Sequence, residues 1–205
     1  MTQLHALDES SLLPGDVLLS YGTQMMDHPG CESGYSHAAI YLGSGEILES
    51  DAGGVKRSSV DDILLAYDHI AVMRADNVWS NKRVASLKHF AERQIGKKFN
   101  AHALPRIELL RQTNIDGAHQ QILDHFAGKG APVVTERPVY FCSELVVSAF
   151  IDAGIITQSA AILFKPETLV PIDIAQDKVF GFFVGYIPKN SRYTIPDNDW
   201  FQSNI

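Results

Sequence analysis

Short runs of aliphatic, β-branched and aromatic residues fall at both ends of the chain, and segments of helical periodicity fill the middle. That order constrains the fold more than any other feature. "DVLLSYG" from Asp16, "SHAAIYLG" from Ser36 and "EILES" from Glu46 read as adjacent antiparallel strands, with "GSG" at residues 43–45 as a hairpin turn. "HIAVMRA", residues 69–75, is a fourth strand, and "KVFGFFVGYIP", residues 178–188, a fifth whose glycines mark bulges or close backbone approach. One sheet thus draws strands from both chain ends. In "NKRVASLKHFAERQIG", Val84, Leu87, Phe90, Ala91 and Ile95 recur at helical spacing and Gly96 ends the run. The order is that of an α+β fold, an antiparallel sheet packed against helices, not of alternating βαβ units.

Two segments stand apart. "RIELLRQTNIDGAHQQILDHFAGKG", within residues 100–137, reads as two helical pieces broken near Asp116 and Gly117, an inserted cap that covers the sheet edge or closes over a pocket. The tail "NSRYTIPDNDWFQSNI" is polar and aromatic, and is expected to dock loosely or to carry Trp200 and Phe201 onto a groove.

With 205 residues, 45% of them hydrophobic, the chain can build one globular domain over residues 1–205. A formal net charge of −7 without a basic block argues against a nucleic-acid partner. No stretch approaches the roughly 18 apolar residues of a membrane span, and the start "MTQLHALDESSLLPGD" has neither a basic nor an apolar character. A cytosolic location is the expectation from these features. The two cysteines, Cys31 and Cys142, make no disulfide framework, and a reducing compartment fits them best.

The chemistry concentrates around "PVYFCSELVVSAF", residues 138–150. Leu145, Val146, Ala149, Phe150 and Ala153 line one helix face and Gly154 supplies the stop, so Cys142 falls on the first helical turn. Unpaired N–H groups and the helix dipole favour thiolate there. A packed core thiol is the alternative. A nucleophile also needs a base, oriented by a third polar group. His37 opens the strand "SHAAIYLG" among small neighbours, and the hairpin brings Glu49 alongside it from the next strand. Solvent-exposed strand residues are the alternative for both.

"LLPGDVLLSYG", "SHAAIYLGSGEILES", "GGVKRSSVDDIL", "IAVMRADN", "AERQIGKKFN" and "YFCSELVVSAFIDAGI" together resemble the circularly permuted branch of the NlpC/P60 papain-like superfamily. The resemblance covers most of residues 12–188, leaving the 100–137 segment and the tail outside. As in the permuted branch, the histidine strand precedes the cysteine helix, the reverse of ordinary members. The resemblance implies a papain-like fold of permuted topology, with Cys142 as nucleophile, His37 as general base and Glu49 as the polar third member; Ser50 or Asp51 are alternatives for the third. It further implies an oxyanion tyrosine near the cysteine, for which Tyr140 and Tyr21 compete. Each could instead be a core aromatic.

Other constellations carry less. Glu144 is expected to contact a neighbouring loop rather than react. "HPGC" gives His28 and Cys31 ligand-like spacing without companions, so no metal is expected. His102, His119 and His125 read as surface histidines, and "DAGGVKR" as a turn with no phosphate-binding helix after it. The function expected is cofactor-free cysteine hydrolysis of an amide bond in a cell-wall peptide, with a lipid or acyl-ester substrate, and hence lipid contact, as the alternative. A catalytically idle binding domain is the rival class. A wall substrate lies outside the membrane, which would require export by a signal-independent secretion machine.

Overall fold

The computed structural model describes residues 6–23, 33–102, 106–129, 133–162 and 164–204. Its strands are Val17–Tyr21 (β1), Tyr35–Gly43 (β2), Glu46–Asp51 (β3), Gly54–Ser58 (β4), His69–Arg74 (β5), the short Lys98–Phe99 (β6) and Val139–Tyr140 (β7), and Phe182–Pro188 (β8). Six form one antiparallel sheet in the order β4-β3-β2-β1-β5-β8, so the last long strand returns beside the early ones. The helices are Val60–Ala66 (α1), Asn81–Gln94 (α2), Ile107–Phe126 (α3), Cys142–Asp152 (α4), Gln158–Ala161 (α5), Pro171–Gln176 (α6) and Trp200–Asn204 (α7). The architecture is α+β, with helices packed on an antiparallel sheet. Among the described residues, no helix is long and apolar enough to cross a membrane.

β1 is buried along its whole length, which explains its nearly unbroken apolar run: it is central and covered on both faces. On one face Leu19, Ala38, Ile40 and Leu48 meet Phe90 of α2 and Val146 and Phe150 of α4. On the other, Leu18, Ala39, Ile47 and Val72 meet Val60 and Ile63 of α1. α4 is more deeply set than a one-faced helix, since Cys142 through Ile151 are all buried. Gly154 ends it as expected, at φ +68.

Both sheet edges are covered. Main-chain bonds Val55 N to Lys97 O (2.8 Å) and Gly96 N to Val55 O (2.9 Å) close the β4 side, and Leu7 N to Tyr186 O (2.7 Å) closes the β8 side.

The structure departs from the sequence reading in three places. "DAGGVKR" turns directly into strand β4, and "VDDILLA" forms α1, begun by a Ser59–Asp62 capping box. α3 is one continuous helix. Gly117 costs it about 1 kcal/mol relative to alanine, and the i,i+4 bonds Gln112 to Asp116 (2.8 Å) and Gln120 to Asp124 (2.9 Å) flank the weak point. None of its residues is buried; Arg111 anchors it to the Thr168 carbonyl (2.8 Å) and to Asp173 of α6. The tail, finally, is not loosely docked: the other expectation holds, Phe201 entering the core with Trp200 packed against it, and Asp199 and Phe201 are each 1% exposed.

Candidate active site

β2 and β3 pair as far as Ala39 opposite Glu49, although β2 reaches back to Tyr35 and β3 on to Asp51. Beyond that pair the register ends, and the N-terminal turn of α4 meets both strands. β6 and β7 guide the chain there, pairing in parallel so that Phe99 lies beside Tyr140. The Tyr140 carbonyl then accepts the Ser50 hydroxyl (2.8 Å) and the Asn100 N–H (2.9 Å). Alternation along β3 thus assigns Ser50 to hold the approach to α4 and Glu49, its neighbour, to the opposite side.

Glu49 lies diagonally across the strand pair from His37, and its Oε2 is 2.7 Å from His37 Nε2. That bond leaves Nδ1 for other partners, and the thiol of Cys142 is the hydrogen-bond and charge partner on the imidazole. The ring is held flat by Tyr67, stacked at 5.6 Å between centroids and 11° between planes. Lys56 stands 3.7 Å from the other Glu49 oxygen. All three central side chains are nearly enclosed: Cys142 is 6%, Glu49 5% and His37 4% exposed. Cys142 is a free thiol.

Enclosure makes the charge balance decisive. Burial alone would push the Cys142 thiol up. Its hydrogen bond to His37, the imidazolium charge, and the main-chain N–H groups of Ala38 and Ser143 outweigh burial and hold it below the ordinary thiol range. Burial likewise disfavours a charged His37, yet the bonds and charges of Cys142 and Glu49 raise it far above an ordinary histidine. Burial would raise Glu49 too; His37 first, then Lys56, keep it ionised and lowered. The three shifts run the same way, each favouring the charged form: thiolate, imidazolium and carboxylate. The Ser36 carbonyl, 4.0 Å from the sulfur, is a partner that only the protonated thiol can use.

Of the five residues expected at the site, Cys142, His37 and Glu49 come together. The tyrosines go elsewhere. The Tyr140 hydroxyl accepts the Arg137 N–H (2.8 Å) and lies within bonding distance of Gln94 Oε1 (3.0 Å) and the Thr135 carbonyl, so the expected oxyanion donor is committed to structural bonds. Tyr21 stacks on His69 at 4.5 Å and meets the edge of Tyr35, in a second buried cluster. Gly34 permits that packing: at φ +82, an added Cβ would lie 2.2 Å from the Tyr21 ring. Ser50 and Asp51, the alternatives for the third position, hold Tyr140 and Lys56 respectively.

Sequence reading missed Tyr67 and the main-chain N–H of Ala38; the Ser143 N–H is one of the unpaired donors expected on the first turn of α4. His28 and Cys31 lie outside the described residues. Among those described, no three His, Cys, Asp or Glu side chains are grouped to hold a metal. Comparisons of the chain with protein-family models, with curated proteins and with solved structures found no match.

Proposed function

We propose that the chain is a cysteine hydrolase of the permuted NlpC/P60 papain-like kind, acting on an amide bond in a peptide such as those of the cell wall. One arrangement carries this reading: the Cys142 thiol on the first turn of α4 and the Glu49 carboxylate, 2.7 Å from the ring, both act on the His37 imidazole. The Cys142 thiolate attacks the carbonyl carbon, and the oxyanion forms at a helix N-terminus. Imidazolium His37 gives its proton to the leaving amine as the C–N bond breaks, leaving a thioester on Cys142. Neutral His37 then takes a proton from water, whose oxygen attacks the thioester; the C–S bond breaks, the acid departs, and the thiolate and imidazolium return. Glu49 holds the ring and stabilises its charged form throughout.

A second reading, an acyl-ester hydrolase or acyltransferase on the same thiol, is favoured by Leu109, Ile115, Leu123 and Phe126, four large apolar side chains exposed on α3. The two readings separate in one experiment. The protein is incubated with peptidoglycan fragments and, in parallel, with phospholipids and acyl esters, and intact-mass spectrometry follows any adduct on Cys142. Amine release with a thioester adduct, both absent in Cys142→Ala, supports the first reading; fatty-acid release supports the second. Turnover by Cys142→Ala equal to the parent's would refute both.

A further inference from the structure

Arg137 touches the chain on both sides of Cys142. Its backbone N–H binds the Tyr140 hydroxyl (2.8 Å), two residues before the cysteine. Its guanidinium Nη1 binds Glu144 Oε1 (2.9 Å), two residues after. Glu144 is 1% exposed, and its other oxygen accepts the Phe141 N–H (3.2 Å) and the Asn100 side-chain N–H (3.3 Å). The second arm of the fork, Nη2, reaches Glu167 (2.8 Å) in the 3-10 turn Pro166–Thr168. Just beyond that turn, the Leu169 carbonyl accepts the Ser143 hydroxyl (2.6 Å). Every residue from Tyr140 to Glu144, the cysteine apart, is therefore pinned by a named bond, and Arg137 supplies two of the pins.

A carboxylate at this position is useful as a cap and harmful as a charge. It satisfies a main-chain N–H at the start of α4, yet it is a buried negative group two residues from a sulfur that must also be negative. Burial is the largest influence on Glu144 and raises it on balance, with Arg137 the strongest pull the other way. We infer that Arg137 is a positioning residue for Cys142: it neutralises Glu144 while holding it on the Phe141 N–H, so that the first turn of α4 keeps its geometry and its preference for a thiolate. The inference rests on the reading of Cys142 as the nucleophile, and it adds a residue that touches neither the sulfur nor the imidazole.

The test follows the rate of Cys142 alkylation by iodoacetamide against pH, in the full chain carrying Cys31→Ser. Arg137→Met exposes the sulfur to an unpaired Glu144 or loosens its cap. Its alkylation midpoint is expected to rise, with a rate on the acid side about tenfold lower. Glu144→Gln keeps a capping oxygen without the charge and is expected within about twofold of the parent. Arg137→Met/Glu144→Gln together are expected to recover to within about threefold, a rescue that a merely structural role for Arg137 would not give. Arg137→Lys, a charge without the fork, should fall between, and carries the test if the methionine variant folds poorly.

Superimposable profiles for the parent and the Arg137 variants would overturn the inference, as would a double variant no faster than Arg137→Met. His37→Ala separates the two levels. If it leaves the midpoint unmoved, the reading of the site fails; if it raises the midpoint while the Arg137 variants do not, only the role of Arg137 fails.

Discussion

The same sheet holds two buried histidine–carboxylate pairs, and they differ in what completes them. At one, Glu49 lies 2.7 Å from His37 and the remaining side of the ring faces a thiol. At the other, Asp199 lies 3.2 Å from His69, and phenols fill the rest: Tyr35 donates to Asp199 (2.8 Å), Tyr186 donates to its other oxygen, and Tyr193 sits 3.1 Å from His69 Nδ1. The Phe201 N–H adds a fourth bond to Asp199 (3.0 Å). Burial and the neighbouring Asp199 raise the three phenols, so they keep their protons at ordinary pH. It fastens the C-terminal tail to β2, β5 and β8. A histidine beside a carboxylate is therefore not a catalytic signature in itself. The third partner separates them: on the proposed reading a thiol at a helix start makes a reactive pair, while phenols make a lock.

The largest effect should come from His37. On the reading above, His37→Ala removes the base and the partner of the thiolate, and hydrolysis should fall at least about a thousandfold. Some stability is lost as well, because the buried Glu49 loses its partner, so activity is compared per folded protein; a variant that stays active would break the comparison at its first member. Asp199→Ala should do the reverse. It strands a buried imidazole and two phenols, with a loss of about 3 kcal/mol in urea unfolding. An unfolding curve matching the parent's would show that the lock holds nothing.

Glu49→Gln sharpens the role of the carboxylate. The amide can still orient the ring but no longer stabilises its charge, so kcat is expected to fall about tenfold to a hundredfold. An undiminished kcat would make Glu49 a bystander. A smaller effect concerns pH. Asp199 is held below the ordinary carboxylate range despite its burial, chiefly by its bond to His69 and then by the tyrosines. A lowered folded-state pKa contributes stability that is present above about pH 4 and lost as pH falls through the folded value. Asp199→Asn should therefore flatten the acid side of the stability profile, and an unchanged slope below pH 4 would contradict the assignment. Smallest of all, Ser59→Ala removes the cap of α1, outside both clusters, for about 1 kcal/mol and no change in kcat.

The sequence carried much of the first cluster and almost none of the second. Cys142 announced itself by its place before an apolar helical run, and His37 and Glu49 by a hairpin whose turn is plain in "GSG". Those are local signals, and local signals survive folding. Asp199 and His69 are 130 positions apart, and a tail reading as polar and aromatic gives no hint that its one buried acid meets an imidazole and two phenols. Tyr140 and Tyr21 failed as oxyanion donors for a related reason: proximity along the chain, or along the sheet, does not fix where a hydroxyl points. The missed strand β4 and helix α1 lay in "GGVKRS" and "SVDDILLA", where two glycines and a short apolar face resembled a loop. The continuity of α3 escaped notice because i,i+4 bonds on either side of Gly117 offset part of its cost.

The central claim is that Cys142 is a thiolate because His37 is charged beside it. Titrating the thiolate's ultraviolet absorbance in the Cys31→Ser chain, with Cys142→Ser as blank, measures this directly. The account predicts a signal already present at neutral pH that disappears only as pH falls through a value well below the ordinary thiol pKa of about 8.5, and a midpoint at or above 8.5 once His37 is alanine. A Cys142 that stays protonated through neutrality, with the same midpoint whether or not His37 is present, would contradict it.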